Sequence, residues 1–187
     1  MKIIIGLGNK GEEYSWTRHN IGFEFLNFFS EKIKCGFSKK NNLAVWGEKS
    51  IKGKKIIILK PMTLMNLSGI AVLDWVKKFK AEIDDIIVIH DDIDLSLFKI
   101  KIKKGGGDAG HKGIRSIINE LNDDRFVRVR IGVGKPENKN QVVDYVLSKL
   151  NEEEKTKFIE KFNIINEFIM NFVFLGYAKA VSKFKDI

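Results

Sequence analysis

The sequence predicts a single α/β domain over residues 1–187, with a twisted, mostly parallel or mixed sheet flanked by helices, and three observations support this fold class. Short runs of aliphatic residues are bounded by glycine, proline or aspartate, which is typical of strands buried on both faces. These runs alternate with segments in which apolar residues recur at helical spacing. Hydrophobic residues make up 44% of the chain, and no internal repeat, low-complexity tract or linker interrupts it.

Strands are predicted from two kinds of pattern. Segments built on aliphatic runs indicate buried central strands, and these segments are residues 3–5, 54–59 (which opens with two lysines) and 86–89. Alternation of apolar and basic residues indicates strands with one basic face, and it is found in residues 97–103 and 127–133. Residues 43–51 are weakly strand-like. The third aliphatic run leads directly into His90, Asp91 and Asp92.

Helices are predicted where apolar residues recur every three or four positions. The segments with this spacing are residues 21–33, 67–79, 114–121 and 158–172. Thr17 is a candidate N-cap for the first helix, and Asn151 with Glu154 resembles a capping box before the last. Residues 151–184 are therefore predicted to be a C-terminal amphipathic helical segment of the same domain. The glycine-rich stretch 105–113 is expected to be a mobile loop that leads into the third helix.

The charge balance favours an anionic partner. Lys and Arg number 33 against 24 Asp and Glu, which gives a formal net charge of +9 at pH 7. Such a surplus suits nucleic acid or a membrane surface, although a lysine-rich proteome would give the same composition.

The cellular compartment is predicted from three absences. Cys35 is the only cysteine, which excludes an intrachain disulfide and suits a reducing cytosol. No apolar run approaches the ~18 residues of a membrane span. The N-terminus lacks the form of a signal peptide. A soluble, cytoplasmic protein is therefore expected.

The stretch Gly6-Leu7-Gly8-Asn9-Lys10-Gly11 matches the G-x-G-x-x-G spacing of dinucleotide-binding loops. Such a loop needs a helix that begins within the motif, so that the pyrophosphate meets the helix N-terminus. Here residues 12–18 show no helical period, and no acidic residue ends a second strand about 20 residues further on. We therefore expect the glycines to let the backbone turn and approach a substrate closely, and we do not expect nucleotide binding.

Polar side chains able to do chemistry follow three of the predicted strands, and they are Asn9, Asn66 and Asp91. Ligands of open α/β sheets collect outside the carboxyl ends of the strands, so these residues are expected at one rim. His19 lies at the start of the next predicted helix, where the positive end of the helix dipole would keep the ring neutral. A neutral imidazole oriented by Asp91 is a general base, and the two amides could hold a carbonyl or a developing oxyanion.

The sequence favours water as the nucleophile. No serine lies in a G-x-S-x-G elbow, and Cys35 lies in an ordinary polar stretch. The three histidines are far apart in sequence and lack metal-ligand spacing, so no metal site is predicted.

Each of these residues also has a purely structural interpretation. An isolated histidine often caps a helix, and Asn or Asp after a strand often forms a turn. The basic residues that alternate along two predicted strands could simply face solvent, and they are Lys101, Lys103, Arg128 and Arg130. These patterns alone predict a hydrolase-like α/β protein.

Five blocks of sequence together resemble the bacterial peptidyl-tRNA hydrolases, and they occur in the order of that family between residues 6 and 136. The blocks are GLGNKGEEYSWTRHNIGF, KPMTLMNLSG, VIHDDIDL, GGGDAGHKGIRSI and RVRIGVGKP. The resemblance implies a monomeric α/β enzyme with no metal or organic cofactor. Its implied reaction is hydrolysis of the ester that joins a peptide to the 3′-terminal ribose of tRNA, which recycles tRNA from aborted translation.

The resemblance also implies roles for individual residues. His19 matches the base that activates water, Asp91 the carboxylate that orients it, and Asn9 the residue that senses an N-blocked amino acid. The remaining residues implied in substrate or tRNA binding are Asn66, Tyr14, Leu64, Lys112, Lys103 and Arg130. Lys103 and Arg130 match positions that contact tRNA phosphate, which agrees with the two basic strand faces.

Three positions depart from the family pattern. Lys10 replaces a common proline, Leu64 replaces an aromatic residue, and Lys112 replaces an asparagine. The ammonium of Lys112 donates but cannot accept a hydrogen bond, so it could stabilise an oxyanion but could not position water as an amide does. Its charge is also expected to lower the pKa of His19 if the two are close. A second hypothesis is an RNA-binding protein on the same fold without catalysis, and a nucleotide-dependent enzyme is a third.

Overall fold

The computed structural model describes residues 1–185, apart from the side chain of residue 139. Within these residues the strands are β1 (Lys2–Gly6), β2 (Lys39–Lys40), β3 (Ala44–Ile51), β4 (Lys54–Pro61), β5 (Ile86–Asp92), β6 (Ile100–Lys104) and β7 (Val127–Gly132). The α-helices are α1 (Ile21–Lys32), α2 (Ser68–Phe79), α3 (Lys112–Leu121), α4 (Val142–Leu147), α5 (Glu152–Leu175) and α6 (Tyr177–Lys183). Among residues 1–185, no helix combines the length and the apolar character that crossing a lipid bilayer requires.

The strands pair into one mixed sheet in the order β2-β3-β4-β1-β5-β7-β6. The four central strands, β4, β1, β5 and β7, are parallel, and the outer strands are antiparallel. Ile4 at the centre is aligned with Ile58 on one side and Ile87 on the other. Such β-branched residues suit a sheet that is covered on both faces. The predicted α/β fold with a mixed sheet is confirmed.

Helices cover both faces because side chains of each strand alternate between them. One core joins α1 and α5 to the face that carries Ile4 and Ile87. The other joins α2 and α3 to the face that carries Ile3 and Val88. Much of the first core consists of phenylalanines from α5, namely Phe158, Phe162, Phe168 and Phe172.

Glycines allow α1 to lie directly against β1 and the turn after it. A Cβ on Gly22 would lie 2.5 Å from the carbonyl oxygen of Ile89 and 2.6 Å from that of Leu7. A Cβ on Gly8 would lie 2.6 Å from the Phe23 ring. The expectation that the first glycines serve close approach to a substrate was therefore wrong for Gly8, because helix packing occupies that space. The first helix begins at Ile21, outside the glycine motif, as the argument against a nucleotide loop required.

Two local predictions were wrong in ways that affect the site. Thr17 does not cap α1, because its Oγ1 donates to the carbonyl oxygen of Tyr14 at 2.9 Å and a 3-10 turn intervenes before the helix. His90, Asp91 and Asp92 do not follow the third strand but belong to it, because their backbones continue the pairing of β5 with β7.

The other predicted strands and helices are found within a few residues of their expected ends. The capping box at Asn151 is present, with Glu154 as its partner. Short elements were missed, namely β2, α4 and α6, the last of which follows a break in the helix at Gly176. The mobility expected of residues 105–113 stays a prediction.

Candidate active site

A cavity of about 550 Å³ opens outside the carboxyl ends of β1, β4 and β5. It brings together predicted site residues from five separate segments, namely Asn9, His19, Leu64, Asn66, Asp91 and Lys112. Of the predicted residues, Tyr14, Lys103 and Arg130 are not among the described residues that line it. The rim expected from the sheet rule therefore exists, and it holds the residues to which chemistry was attributed.

The centre of the cavity is a histidine–carboxylate pair. His19 lies in the 3-10 turn Arg18–Asn20, directly before α1, and its Nδ1 is 2.8 Å from Asp91 Oδ1. Asp91 lies near the end of β5, and its side chain is 4% exposed. Because the carboxylate can only accept, Nδ1 of a neutral His19 carries the proton, and Nε2 is left able to accept another. This is the geometry of a general base with its orienting group.

The electrostatics of the pair differ from the prediction based on the helix dipole. Burial lowers the pKa of His19, but the Asp91 carboxylate more than reverses this, so the pKa is raised above 6.5. Lys112 acts in the expected, lowering direction without changing the outcome. Burial raises the pKa of Asp91, yet His19 and His111 hold it well below the usual range. The prediction that the dipole would disfavour the imidazolium of His19 was wrong in direction, because a carboxylate in direct contact outweighs the partial charge of a helix end.

The three histidines converge although they are distant in sequence. His111 Nε2 lies 3.0 Å from Asp91 Oδ1, the same oxygen that His19 contacts. The His90 ring packs edge-on against His111 with centroids 4.9 Å apart. Ligand atoms of His19, Asp91 and His111 all lie within 4.8 Å of one another, which is close enough for a metal. Separation in sequence therefore does not exclude a metal site, and the hydrogen bonds of the imidazoles decide between a metal centre and a hydrogen-bond network.

Those hydrogen bonds favour a network over a metal centre. His111 lies at the N-cap of α3, and its Nδ1 accepts from the backbone amides of Gly113 and Ile114 at 3.1 and 3.3 Å. With Nδ1 occupied as an acceptor, the proton of the neutral ring resides on Nε2 and is donated to Asp91. A metal at Nε2 would require that proton to move to the nitrogen that faces two N–H groups, which is unfavourable.

Asn9 is fixed by a residue that the sequence did not single out. Its backbone N–H donates to Asn20 Oδ1 at 2.7 Å, and Asn20 Nδ2 donates back to the carbonyl oxygen of Asn9 at 3.0 Å. Asn20 is buried. Since Asn20 directly follows His19, one short turn holds both the imidazole and the loop that carries Asn9.

Asn66, Leu64 and Lys112 also line the cavity. Asn66 lies in the 3-10 turn Met65–Leu67 and is exposed, and Leu64 just before it is 70% exposed. The buried Met65 seats this turn on α3, since a Cβ on Gly113 would lie 2.6 Å from its Sδ. Lys112 is the first residue of α3 and is exposed. An amide donor and an ammonium therefore both border the cavity.

An apolar wall comes from α4, which the sequence analysis missed. Four of its side chains line the cavity, namely Val142, Val143, Val146 and Leu147. Val143 is 60% exposed. The wall offers a surface for an apolar group of a substrate. The segment reads VVDYVL and is only six residues long, which is too short to show a helical period.

Arg130 and Lys103 lie on the edge of the sheet beside the cavity. Arg130 Nε donates to Asp92 Oδ2 at 2.6 Å, and Asp92 lines the cavity. Lys101 of β6 is opposite Arg130 of β7, and Lys103 is two residues further along β6. Residues opposite each other or two apart share one face of a sheet, so these cations form a row that leads away from the cavity.

Arg128 belongs to the same face but does not face solvent. It is 3% exposed, and its guanidinium donates to the carbonyl oxygens of Gly106 and Gly107, at 2.7 Å in the case of Gly107. The structural interpretation of a solvated basic strand is therefore wrong for this residue, because it anchors the glycine-rich loop.

Tyr14 lies in the 3-10 turn Glu12–Tyr14 and is half-buried. The residues that the sequence analysis missed are His111, Asn20 and the apolar side chains of α4. His111 and Asn20 do lie within the sequence blocks quoted above, each beside a residue that was chosen, so their position was the available signal.

The layout defines a class of protein. A histidine–carboxylate pair lies at the carboxyl edge of a parallel-centred sheet, with side-chain amides beside it. The cavity-lining residues that the structure describes include no serine, threonine or cysteine, so activated water is the nucleophile that the layout favours. These features are typical of an α/β enzyme that hydrolyses its substrate with a histidine base.

Comparison with known proteins defines the particular family. The family model described as peptidyl-tRNA hydrolase matches residues 3–187. Peptidyl-tRNA hydrolases from Mycoplasma capricolum subsp. capricolum and Clostridium perfringens (strain SM101) are 45% and 37% identical, over 92% and 100% of this chain and 92% and 98% of theirs. The crystal structure of the peptidyl-tRNA hydrolase from Acinetobacter baumannii matches with a TM-score of 0.92 at 31% identity, covering 100% of this chain and 97% of that one. The chain belongs to the peptidyl-tRNA hydrolase family.

Proposed function

We propose that the chain hydrolyses the ester between a peptide, or an N-blocked amino acid, and the 3′-terminal ribose of tRNA. Family membership supports the reaction. One observation carries the mechanism: His19 Nδ1 lies 2.8 Å from the buried Asp91 carboxylate, in a cavity that also contains Asn9 and Asn66. Base, orienting group and amide donors are therefore within reach of one acyl group.

In the proposed mechanism, His19 Nε2 accepts a proton from water while the water oxygen attacks the ester carbonyl. Asp91 stabilises the imidazolium that forms. Asn66 and Lys112 donate to the oxyanion, whose negative charge an ammonium and an amide N–H can both stabilise. The intermediate then breaks its bond to the ribose 3′ oxygen, and His19 returns the proton to that oxygen. The products are a free carboxylic acid and tRNA.

Other residues hold the two halves of the substrate in this proposal. Asn9 contacts the blocked amino group, which distinguishes peptidyl-tRNA from aminoacyl-tRNA. The apolar wall of α4 suits the side chains of the peptide. Tyr14 and Leu64 contact the 3′ end of the tRNA. Lys103 and Arg130, which lie on one face of the β6–β7 pair, contact phosphates.

The remaining expectations are part of the same proposal. Residues 1–187 act as one domain, the enzyme is a monomer, and it works in the cytoplasm, where its tRNA substrate is produced. A non-catalytic RNA-binding protein is the second candidate. It is not favoured, because the His19–Asp91 pair is retained together with both amides in one cavity.

A comparison of N-acetylated with free aminoacyl-tRNA tests the function. We expect release of the blocked amino acid only, and a loss of about 10³-fold in rate for His19→Ala, within the range typical of a general base. Binding of tRNA by His19→Ala, measured in parallel, should be unchanged. Equal hydrolysis by His19→Ala would contradict the general-base role. Binding of tRNA without hydrolysis by the unmodified protein would favour the second candidate.

A further inference from the structure

Asp91 Oδ1 is shared by two imidazoles, and only one of them has a role in the proposed reaction. The distances are 2.8 Å to His19 Nδ1 and 3.0 Å to His111 Nε2. The rings of His19 and His111 are 5.1 Å apart and inclined at 48°. His111 side-chain exposure is 7%, so water does not replace either contact easily.

The protonation of His111 follows from its other nitrogen. Nδ1 accepts from two backbone N–H groups at the start of α3, those of Gly113 and Ile114. A nitrogen that accepts must keep its lone pair, so the ring is neutral with its proton on Nε2.

His90 supports His111 from behind and has the opposite tautomer. Its Nδ1 is 2.7 Å from the carbonyl oxygen of Asp91, which can only accept, so the His90 proton is on Nδ1. Burial lowers the pKa of His90 to about 3, so the ring is neutral at physiological pH. His90 and Asp91 are neighbours in β5, and the edge-on ring contact carries this rigidity to His111.

We propose that His111 is a positioning residue that holds Asp91 Oδ1. It is a neutral imidazole, locked as the Nε2–H tautomer by its hydrogen bonds to the start of α3. Its hydrogen bond to Asp91 weakens the attraction of that carboxylate for the proton on His19. The kinetic consequence of this inference rests on the proposed function. The tautomer of His111 and its hydrogen bond to Asp91 do not depend on that function.

The direction of the effect follows from the charge on one oxygen. A hydrogen bond donated by His111 takes up part of the negative charge that would otherwise stabilise a protonated His19. Without that donor, His19 holds its proton more tightly, and less of the free base is present at neutral pH. Protonated His19 cannot act as the base, so the acid limb of the pH–rate profile would move to higher pH.

Other charges near these rings are accounted for. Apart from the imidazoles themselves, the charged groups from β5, β7 and α3 that act on His19 and His90 are Asp91, Lys112 and Arg128. Two further carboxylates line the cavity but are ion-paired, Asp92 with Arg130 and Asp108 with Arg115. A change confined to the donor of His111 therefore leaves the other charges in place.

Two substitutions separate the two contacts of His111. In His111→Asn, Oδ1 stands the same number of bonds from the backbone as Nδ1, so the cap on α3 is kept while the donor to Asp91 is lost. In His111→Gln, Nε2 stands the same number of bonds from the backbone as the imidazole Nε2, so the donor is kept while the cap is weakened. We expect His111→Asn to shift the acid limb of kcat/KM to higher pH by about 0.5 unit and to lower kcat roughly tenfold. In His111→Gln the acid limb should lie at the same pH as in the unmodified protein, whereas Tm should fall by about 3 °C.

Nitrogen NMR of the imidazole rings tests the inference without an activity assay, since the chain has only 3 histidines. At pH 7 we expect His111 as Nε2–H, His90 as Nδ1–H, and His19 as the ring that titrates. A His111 protonated on Nδ1, or a His19 titration unchanged in His111→Asn, would overturn the proposal. If the protein failed to hydrolyse peptidyl-tRNA, the proposed function would fall, while these tautomers and the His19 titration would still decide the role of His111.

Discussion

Asp91 controls the protonation of the site because it is buried and contacts two histidines through one oxygen. Its charge makes His19 a stronger base than an isolated imidazole, since the pKa of His19 is raised above 6.5 despite burial. Activity that depends on neutral His19 should therefore rise with pH through a value above 6.5. A stronger base gains driving force for proton abstraction but is less often in the neutral form at pH 7.

Asp91→Asn tests this assignment. It removes the charge that raises the pKa of His19 and leaves burial and Lys112, both of which lower it. We expect the acid limb of kcat/KM to move below pH 6.5, and the plateau to fall about 10³-fold because the imidazolium loses its stabilising carboxylate. Asp94→Asn is the matched control, since Asp94 lies three residues after Asp91 and its side chain is 52% exposed. An acid limb that stays above pH 6.5 would show that another group sets it.

At the scale of the element, the position of His19 depends on how closely α1 approaches the sheet. The turn that carries His19 precedes α1 without a break, and Gly22 in the first turn of α1 touches the backbone of Leu7 and Ile89. The same turn is tied to the first turn of α5, where Arg18 pairs with Glu154 at 2.6 Å. The turn that carries His19 is thus held on both sides, by the packing of Gly22 and by the ion pair of Arg18, and neither contact takes part in the chemistry.

Gly22→Ala tests the importance of this contact. Alanine normally stabilises a helix by up to about 1 kcal/mol relative to glycine. Here the added Cβ would lie 2.5 Å from the carbonyl oxygen of Ile89 in β5, so α1 must move away from the sheet. We expect a net loss of about 2 kcal/mol in the free energy of unfolding, measured by denaturant titration, together with a fall in kcat. Gly36→Ala is the control, because a Cβ there meets nothing within 4 Å. A gain in stability for Gly22→Ala would contradict the packing argument.

At the scale of the whole molecule, the basic residues that make up the positive net charge differ in whether they are bound to other groups of the protein. Of the cations on the β6–β7 face, Arg128 binds loop carbonyls and Arg130 is paired with Asp92. Replacing Arg130 would leave a buried carboxylate without its partner, so a change in tRNA affinity there could not be separated from damage to the cavity. Lys103 is the better residue with which to examine phosphate binding.

Lys103→Ala is expected to raise KM for tRNA with little change in kcat. The slope of the logarithm of affinity against the logarithm of salt concentration should fall by about 1, which is the loss of one phosphate contact. Lys54→Ala is the matched control, because Lys54 begins β4 and lies at the end of the sheet opposite the cavity. Equal salt slopes for Lys103→Ala and the unmodified protein would show that Lys103 is an ordinary surface residue.

The sequence by itself determined the order and kind of the main elements, because hydrophobic period, glycine, proline and capping residues act within a few positions of where they stand. Ile3–Ile5, the segment that ends at Pro61 and the box at Asn151 are examples. The sheet rule then placed Asn9, Asn66 and Asp91 at one edge, and the resemblance indicated the family. Only short elements without a long enough period, such as α4, were missed.

The tertiary structure alone decided the contacts on which the chemistry depends. His19 and His111 reach the same oxygen of Asp91 from positions 72 and 20 residues away, and no local pattern encodes such a meeting. Contacts between residues distant in sequence also determine three other features. They are the direction of the His19 pKa shift, the burial of Arg128 and the close packing of Gly22. Local sequence fixes backbone conformation over a turn or a strand, whereas the electrostatic energy of a side chain depends on atoms that only folding brings within a few ångströms of it.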